Sequence, residues 1–288
     1  MNRRGQSILA LAIVALTFGL ANVGLAVDLD PNAVAIMTPD QFKWRDPTDQ
    51  VAINQTILYG DPRRPGLYII INKSKPGVVG NPHYHANERF QTVVDGVAWR
   101  GTGPVVDAAQ TKRVPKGSFW TDHATKVHWD LTKEEGVASL VTGMGPVTTT
   151  EVPKSNGPWS GGDPSASTIM LPDEIKWIDN GSHSIAALHG YANQPGLFVE
   201  MLTLRKGFSF TPPHIHPTTL YTYVMSGTWW IGTGAKYDPA SLTVPLKAGT
   251  FVTHFANGVH WDGAKDEDVQ LLIIGEGPVV SMRVQEGR

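Results

Sequence analysis

Cysteine is absent from this 288-residue chain. That excludes a disulfide framework, and also the lipid anchor that exported lipoproteins carry on a cysteine at the cleavage site; stability must come from burial alone. No run of Lys and Arg occurs beyond the first residues, and the formal charge is −2. A nucleic-acid-binding surface and attraction to anionic membranes therefore both lose their basis. Sustained helical periodicity is missing after the N-terminal segment. Charged residues are scarce (17%), whereas Gly (30) and Pro (21) are frequent, a composition of short strands joined by many turns.

The N-terminus differs from the rest. Met1-Asn2-Arg3-Arg4 is a short cationic start, and the apolar run from Ile8 ends in Gly24-Leu25-Ala26, with small residues where a signal peptidase needs them. Residues 1–26 read as a cleaved secretory signal, by the Sec or the twin-arginine route, which places the mature protein in the periplasm or outside the cell. An uncleaved anchor is the alternative, since about 19 apolar residues just span a bilayer. Loss of two of the 24 basic side chains with the signal leaves 22 against 26 acidic ones, a formal charge of −4. No membrane contact is expected after cleavage.

The rest of the chain is one unit written twice. Pro82-His83-Tyr84-His85 returns as Pro213-His214-Ile215-His216 at an offset of 131, as do Gly96 (Gly227), Trp99 (Trp230) and Gly101-Thr102-Gly103 (Gly232-Thr233-Gly234). One inserted residue then makes the offset 132, matching His128-Trp129-Asp130 with His260-Trp261-Asp262 and Gly143-Met144-Gly145-Pro146 with Gly275-Glu276-Gly277-Pro278. A period near 130 is a duplicated domain, not a solenoid repeat. Between the copies, ten of the seventeen residues 151–167 are Gly, Pro or Ser, a linker composition. The expected units are 27–150 and 168–288. Runs such as Leu67 to Ile71 and Val269 to Ile274 are short, apolar and rich in β-formers, so each unit reads as an all-β sandwich or jelly roll.

Six of the ten histidines occupy equivalent places: His83, His85 and His128, then His214, His216 and His260. A strand sends alternate side chains to one face, so His-x-His points two imidazoles the same way. The third histidine follows the second by 43 residues in one unit and 44 in the other, too far for a zinc finger but suited to a neighbouring antiparallel strand. Three imidazoles suit a divalent iron, zinc, copper or nickel ion and leave coordination positions open for an exogenous ligand.

His-x-His followed by a strand-closing Gly, and then a Gly eleven residues before a final His (Gly117 with His128, Gly249 with His260), resembles the two cupin motifs. The resemblance covers essentially the whole mature chain and implies two tandem cupin jelly-roll barrels, a bicupin, similar to exported bacterial double-cupin proteins with a Trp-rich strand after the first motif. Typical cupins carry a glutamate ligand four or five residues after the second histidine. Here those positions hold Arg89 or Phe90, and Leu220 or Tyr221, while Glu88 is one position off and would face away. The departure speaks against oxalate-oxidising and oxalate-decarboxylating activities. Cupins with three histidines and no glutamate include dioxygenases acting on diketones, gentisate-type rings and thiols. The resemblance therefore implies Fe(II) first, with Mn, Zn, Ni or Cu open, and a small anionic or phenolic substrate. A non-catalytic binder of a small acid or sugar, and a Zn/Mn Lewis-acid hydrolase or isomerase, stand as rivals. A homodimer is compatible with the resemblance, although the sequence shows no interface.

Glu200, Gln91 and Tyr221 are the candidate catalytic side chains. Glu200 is an acid in an apolar strand, opposite Ile70 in the other repeat, and suits a base or a partner that orients an imidazole. Gln91 and Thr222 are expected to face inward near the ions. Asp130 and Asp262 are read as turn residues or partners of the ligands, and Trp99, Trp129, Trp230 and Trp261 as core packing. His123, His183, His189 and His254 have no histidine at the matching place and are read as structural or surface residues.

Overall fold

The computed structural model describes residues 27–155, 157 and 162–285; residues 1–26, where a secretory signal is expected, and part of the expected linker lie outside the described residues. The first repeat contributes β1 (Val34–Met37), β2 (Ile53–Tyr59), β3 (Gly66–Ser74), β4 (His83–His85), β5 (Arg89–Thr102), β6 (Lys112–Pro115), β7 (Phe119–Asp122), β8 (His128–Leu131), β9 (Val137–Gly145) and β10 (Thr149–Glu151). The second contributes β11 (Ser167–Met170), β12 (Ile178–Asp179), β13 (His183–His189), β14 (Gly196–Leu204), β15 (His214–Ile215), β16 (Leu220–Ser226), β17 (Thr228–Thr233), β18 (Val244–Lys247), β19 (Phe251–His254), β20 (His260–Ala264), β21 (Val269–Gly277) and β22 (Met282–Arg283). The chain is all-β, and the helices among the described residues are two single 3-10 turns. None is long and apolar enough to cross a membrane.

Each repeat curls into a jelly roll of two antiparallel sheets. In the second barrel these run β1-β19-β16-β21-β14-β13-β12 and β18-β17-β20-β15-β22. The first barrel repeats the plan with one difference: β5 is a single 14-residue strand that serves both sheets, where the second barrel uses β16 and β17. The bend between sheets falls at Gly96 and at Gly227, both with positive φ (73° and 76°) and both packed against a backbone carbonyl that leaves no room for a Cβ. Edge strands are exchanged. β1 adds to β19 of the second barrel and β11 adds to β7 of the first, which covers two edges that would otherwise be exposed.

The exchange accompanies a shared core. One apolar cluster draws Leu67, Ile69, Ile71 and Phe90 from one repeat together with Val199, Met201, Tyr221 and Tyr223 from the other. Odd-numbered residues of β3 thus face the other barrel, while Tyr68 and Ile70 form a second cluster with Val141. Burial on both faces explains why Leu67 to Ile71 reads as a continuous apolar run instead of an alternation. Two aromatic pairs related by the repeat close the seam, Tyr59 on Tyr221 (ring centroids 4.2 Å) and Phe90 on His189 (3.8 Å).

Trp129 and Trp261 are fully buried, each lying flat against the glycine that its neighbouring strand presents, Gly101 and Gly232. A methyl group at either glycine would fall inside van der Waals contact with the indole. Overpacking of this kind costs about 1–3 kcal/mol. Gly101→Ala should therefore lower the melting temperature by several degrees, about 2–4 °C per kcal/mol for a protein of this size. An unchanged melt would show that the indole shifts freely.

Candidate metal centres

β-Ladder pairing brings the distant histidines together. His83 in β4 lies directly opposite His128 in β8, and His214 in β15 directly opposite His260 in β20. With His85 and His216 two residues along, each set of three has one ligand-capable nitrogen per ring, all within 4.8 Å of one another. Ring centroids stand 4.6–5.2 Å apart in the first trio and 4.4–5.2 Å in the second. The third histidine of each trio does lie on a neighbouring antiparallel strand.

All six rings are oriented by the same device. Nδ1 of His83, His85 and His128 meets the backbone carbonyls of Asn81, Thr148 and Lys126 at 2.8, 3.2 and 3.0 Å. Nδ1 of His214, His216 and His260 meets those of Pro212, Val280 and Gly258 at 2.9, 3.3 and 3.0 Å. A carbonyl only accepts, so each Nδ1 carries a proton, and in the neutral ring the lone pair then sits on Nε2. Burial, followed by the charge of Arg89, pushes His85 down to about 3, and burial does the same to His260. His128 and His216 are also lowered by burial. Neutral imidazoles with fixed tautomers and inward lone pairs fit a divalent ion, and Nε2 of His128 is buried with no hydrogen-bond partner.

The surroundings of the two trios differ. In the first, Asp122 is wholly buried, with Oδ2 3.6 Å from His128 Nε2. Arg100 donates to its Oδ1, and the Gln91 amide donates to Oδ2 at 2.5 Å. Burial alone would raise the Asp122 carboxyl, but the Arg100 guanidinium and its other cationic neighbours hold it well below the usual carboxylate range. Arg100 also reaches Asp130 (2.6 Å) and Ser167 of the exchanged strand β11 (3.0 Å). Arg89 donates to His85 Nε2 at 2.8 Å. In the second barrel, His254 takes the place of Asp122, Ile231 that of Arg100 and Leu220 that of Arg89. The His254 ring lies 4.4 Å from that of His260, and its buried Nδ1 has no partner.

The first trio opens on a cavity of about 190 Å³ inside its barrel, lined by Asn72, Ser74, Arg89, Gln91, Ser139 and Asp130 among others. Of the candidate catalytic groups, Gln91 is therefore brought to a trio. Glu200 lies on β14 opposite Ile273, which in turn faces Thr222, the counterpart of Gln91. It shares the strand face of Leu202 and Leu204, which pack in the core of the second barrel, and burial pushes its carboxyl up to about 7. Tyr221 is not brought to the histidines. Adjacent residues of a strand face opposite ways, and with Thr222 turned toward the barrel interior, Tyr221 stacks in the seam between barrels. Glu88 turns outward as expected and bonds His123 at 2.9 Å. The sequence does not single out Asp122, Arg100 or His254 as neighbours of the centres, and it marks Arg89 only as the residue standing where a glutamate ligand is usual. The repeat does align Asp122 with His254, but a search for identical residues passes over a place where the two copies differ.

No protein-family model and no curated protein matches the chain. Solved structures do. The formate complex of Lactobacillus farciminis oxalate decarboxylase superposes with a TM-score of 0.59 at 14% identity, over 86% of this chain and 88% of that one. Bacillus subtilis oxalate decarboxylase at pH 4.6 gives 0.55 at 15% identity, over 86% and 78%. Similarity at this level establishes the bicupin fold, and with it the two-barrel plan on which the histidine trios sit.

His214→Ala with His216→Ala should remove one of two bound ions per chain, leaving a cooperative melt. Metal content by elemental analysis, unchanged at two per chain, would refute the second centre.

Proposed function

We propose that the protein is an exported metal-dependent oxidoreductase that adds dioxygen to a small anionic or phenolic substrate, and that the first barrel is the reacting one. The contrast between the two interiors carries this reading. At matching places the first barrel has Asn72, Ser74, Ala98 and Ser139, and the second has Leu202, Leu204, Trp229 and Leu271. The second set packs into an apolar cluster, whereas the first lines the cavity that reaches the trio. Ligand sites are concave, with a few polar groups that fix orientation. The first barrel meets that description.

A divalent ion on neutral imidazoles supplies Lewis acidity and, when redox-active, a place for dioxygen; Fe(II) suits this best, with Mn, Zn, Ni and Cu as alternatives. The chain's own groups do the positioning. Gln91 holds Asp122 through its amide, Asp122 lies against His128, and Arg89 brings a permanent positive charge to the mouth of the trio. Arg89 and Leu220 occupy the positions where typical cupins place their glutamate ligand, which favours an oxygenase over the reaction of the oxalate decarboxylases. The cationic start, apolar run and cleavage pattern of residues 1–26 support export.

Protein purified without a histidine tag should contain iron and consume oxygen with some member of a panel of small carboxylic acids, phenols and diketones. Bound zinc or manganese without oxygen uptake would support a Lewis-acid hydrolase or isomerase instead. Absence of metal with ligand-dependent melting would support a binding protein. Ser139→Leu, which copies the second barrel, should abolish turnover without lowering metal content. Full activity in that variant would remove the reaction from the first cavity.

A further inference from the structure

Arg89 begins β5 four residues after His85, beside the ligands and on the wall of the cavity. Its guanidinium donates to His85 Nε2 at 2.8 Å, and its own Nε is buried with no partner. Tyr68 and Asp122 are also near enough to interact with it. The Asp122 carboxylate is already engaged, since its two oxygens accept from Arg100 and Gln91. Arg89 is thus a cation at the trio with no carboxylate of its own among the described residues. The second centre has Leu220 at the matching place and presents no such cation there.

His85 Nε2 has one lone pair. An ion held by the trio needs that lone pair, which Arg89 also uses, so the two cations compete for one nitrogen. Once displaced, a half-buried guanidinium faces a divalent ion, an unfavourable arrangement until an anion enters. A planar carboxylate is the best match to the fork of a guanidinium, and one of its oxygens can remain directed at the ion. We propose that Arg89 couples metal binding at the first centre to a small carboxylate, which bridges the guanidinium and the ion while its remainder lies along Gln91, Asn72 and Ser139. This rests on the reading of the first barrel as the ligand-taking one, and it narrows the substrate class to small carboxylic acids.

The coupling can be read anaerobically, without turnover, from Co(II) binding to chain carrying His214→Ala and His216→Ala, so that only the first centre responds. Propionate and lactate should tighten Co(II) binding at least about tenfold, within the usual range of coupling between two sites, and should alter the Co(II) absorption bands. Sulfate should do neither. Arg89→Leu, which installs the residue of the second barrel, should bind Co(II) tightly without carboxylate and show no carboxylate effect. Arg89→Lys keeps the competing charge without the fork, so it should bind Co(II) as weakly as the parent and respond less to propionate. Should Arg89→Leu lack a cooperative melt, Arg89→Lys and Arg89→Gln decide on the same readout. An undiminished propionate effect in a folded Arg89 variant, or no effect in the parent, overturns the proposal; an equal response to sulfate overturns the carboxylate assignment. Coupling without oxygen uptake on any substrate would leave this inference standing and remove the oxidoreductase reading. Oxygen uptake with no Arg89-dependent coupling would do the reverse.

Discussion

The structure depends on the convergence of three imidazoles in each barrel. Antiparallel pairing sets the first and third histidines of each trio directly opposite one another, and strand alternation adds the second from the same face. Six backbone carbonyls fix the protons on Nδ1, and burial keeps several of these rings uncharged. Without that orientation a ring could present its N–H inward, and the lone pairs would not meet. The jelly roll is the frame that holds this geometry, and the exchanged strands β1 and β11 tie the two frames together.

From a common frame the two barrels have moved apart. The first keeps hydroxyl and amide side chains on its inner wall and places a buried ion pair, Asp122 with Arg100, against its third histidine. An ion pair this deep stays favourable only when its remaining polar atoms are satisfied. Gln91, Asp130 and Ser167 meet part of that need. In the second barrel, Leu202, Leu204, Leu271 and Trp229 fill the corresponding volume, and His254 replaces the aspartate. Such packing stabilises, at about 1.5–3 kcal/mol per buried side chain of Leu or Val size. It also takes up the space that a ligand would need. One barrel gains stability where the other keeps access to its centre.

Much of this was legible in the residues. The duplication, the all-β character and the grouping of the six histidines follow from spacing and alternation, because rare residues repeated in order report a shared backbone. Tyr221 shows where such reading ends. Its position relative to His216 suggests proximity to an ion, yet the parity of β16 turns it into the seam with Tyr59. Register can be off by one residue and reverse every side chain on a strand. Asp122 and His254 were hidden for a different reason. Repeats announce themselves through identity, whereas these two residues matter because the copies differ. Arg89 was visible in the sequence only as the lack of a glutamate, and its contact with His85 depends on a rotamer that spacing does not encode.

The most direct test of the convergence is anomalous diffraction from crystals grown with metal-loaded protein, recorded at the absorption edge of the bound metal. The geometry requires one peak within each barrel, about 2.0–2.1 Å from three histidine Nε2 atoms. A map with no peak between either trio, or with the imidazoles turned away from one another, would contradict the metal-centre account and leave a duplicated β-scaffold.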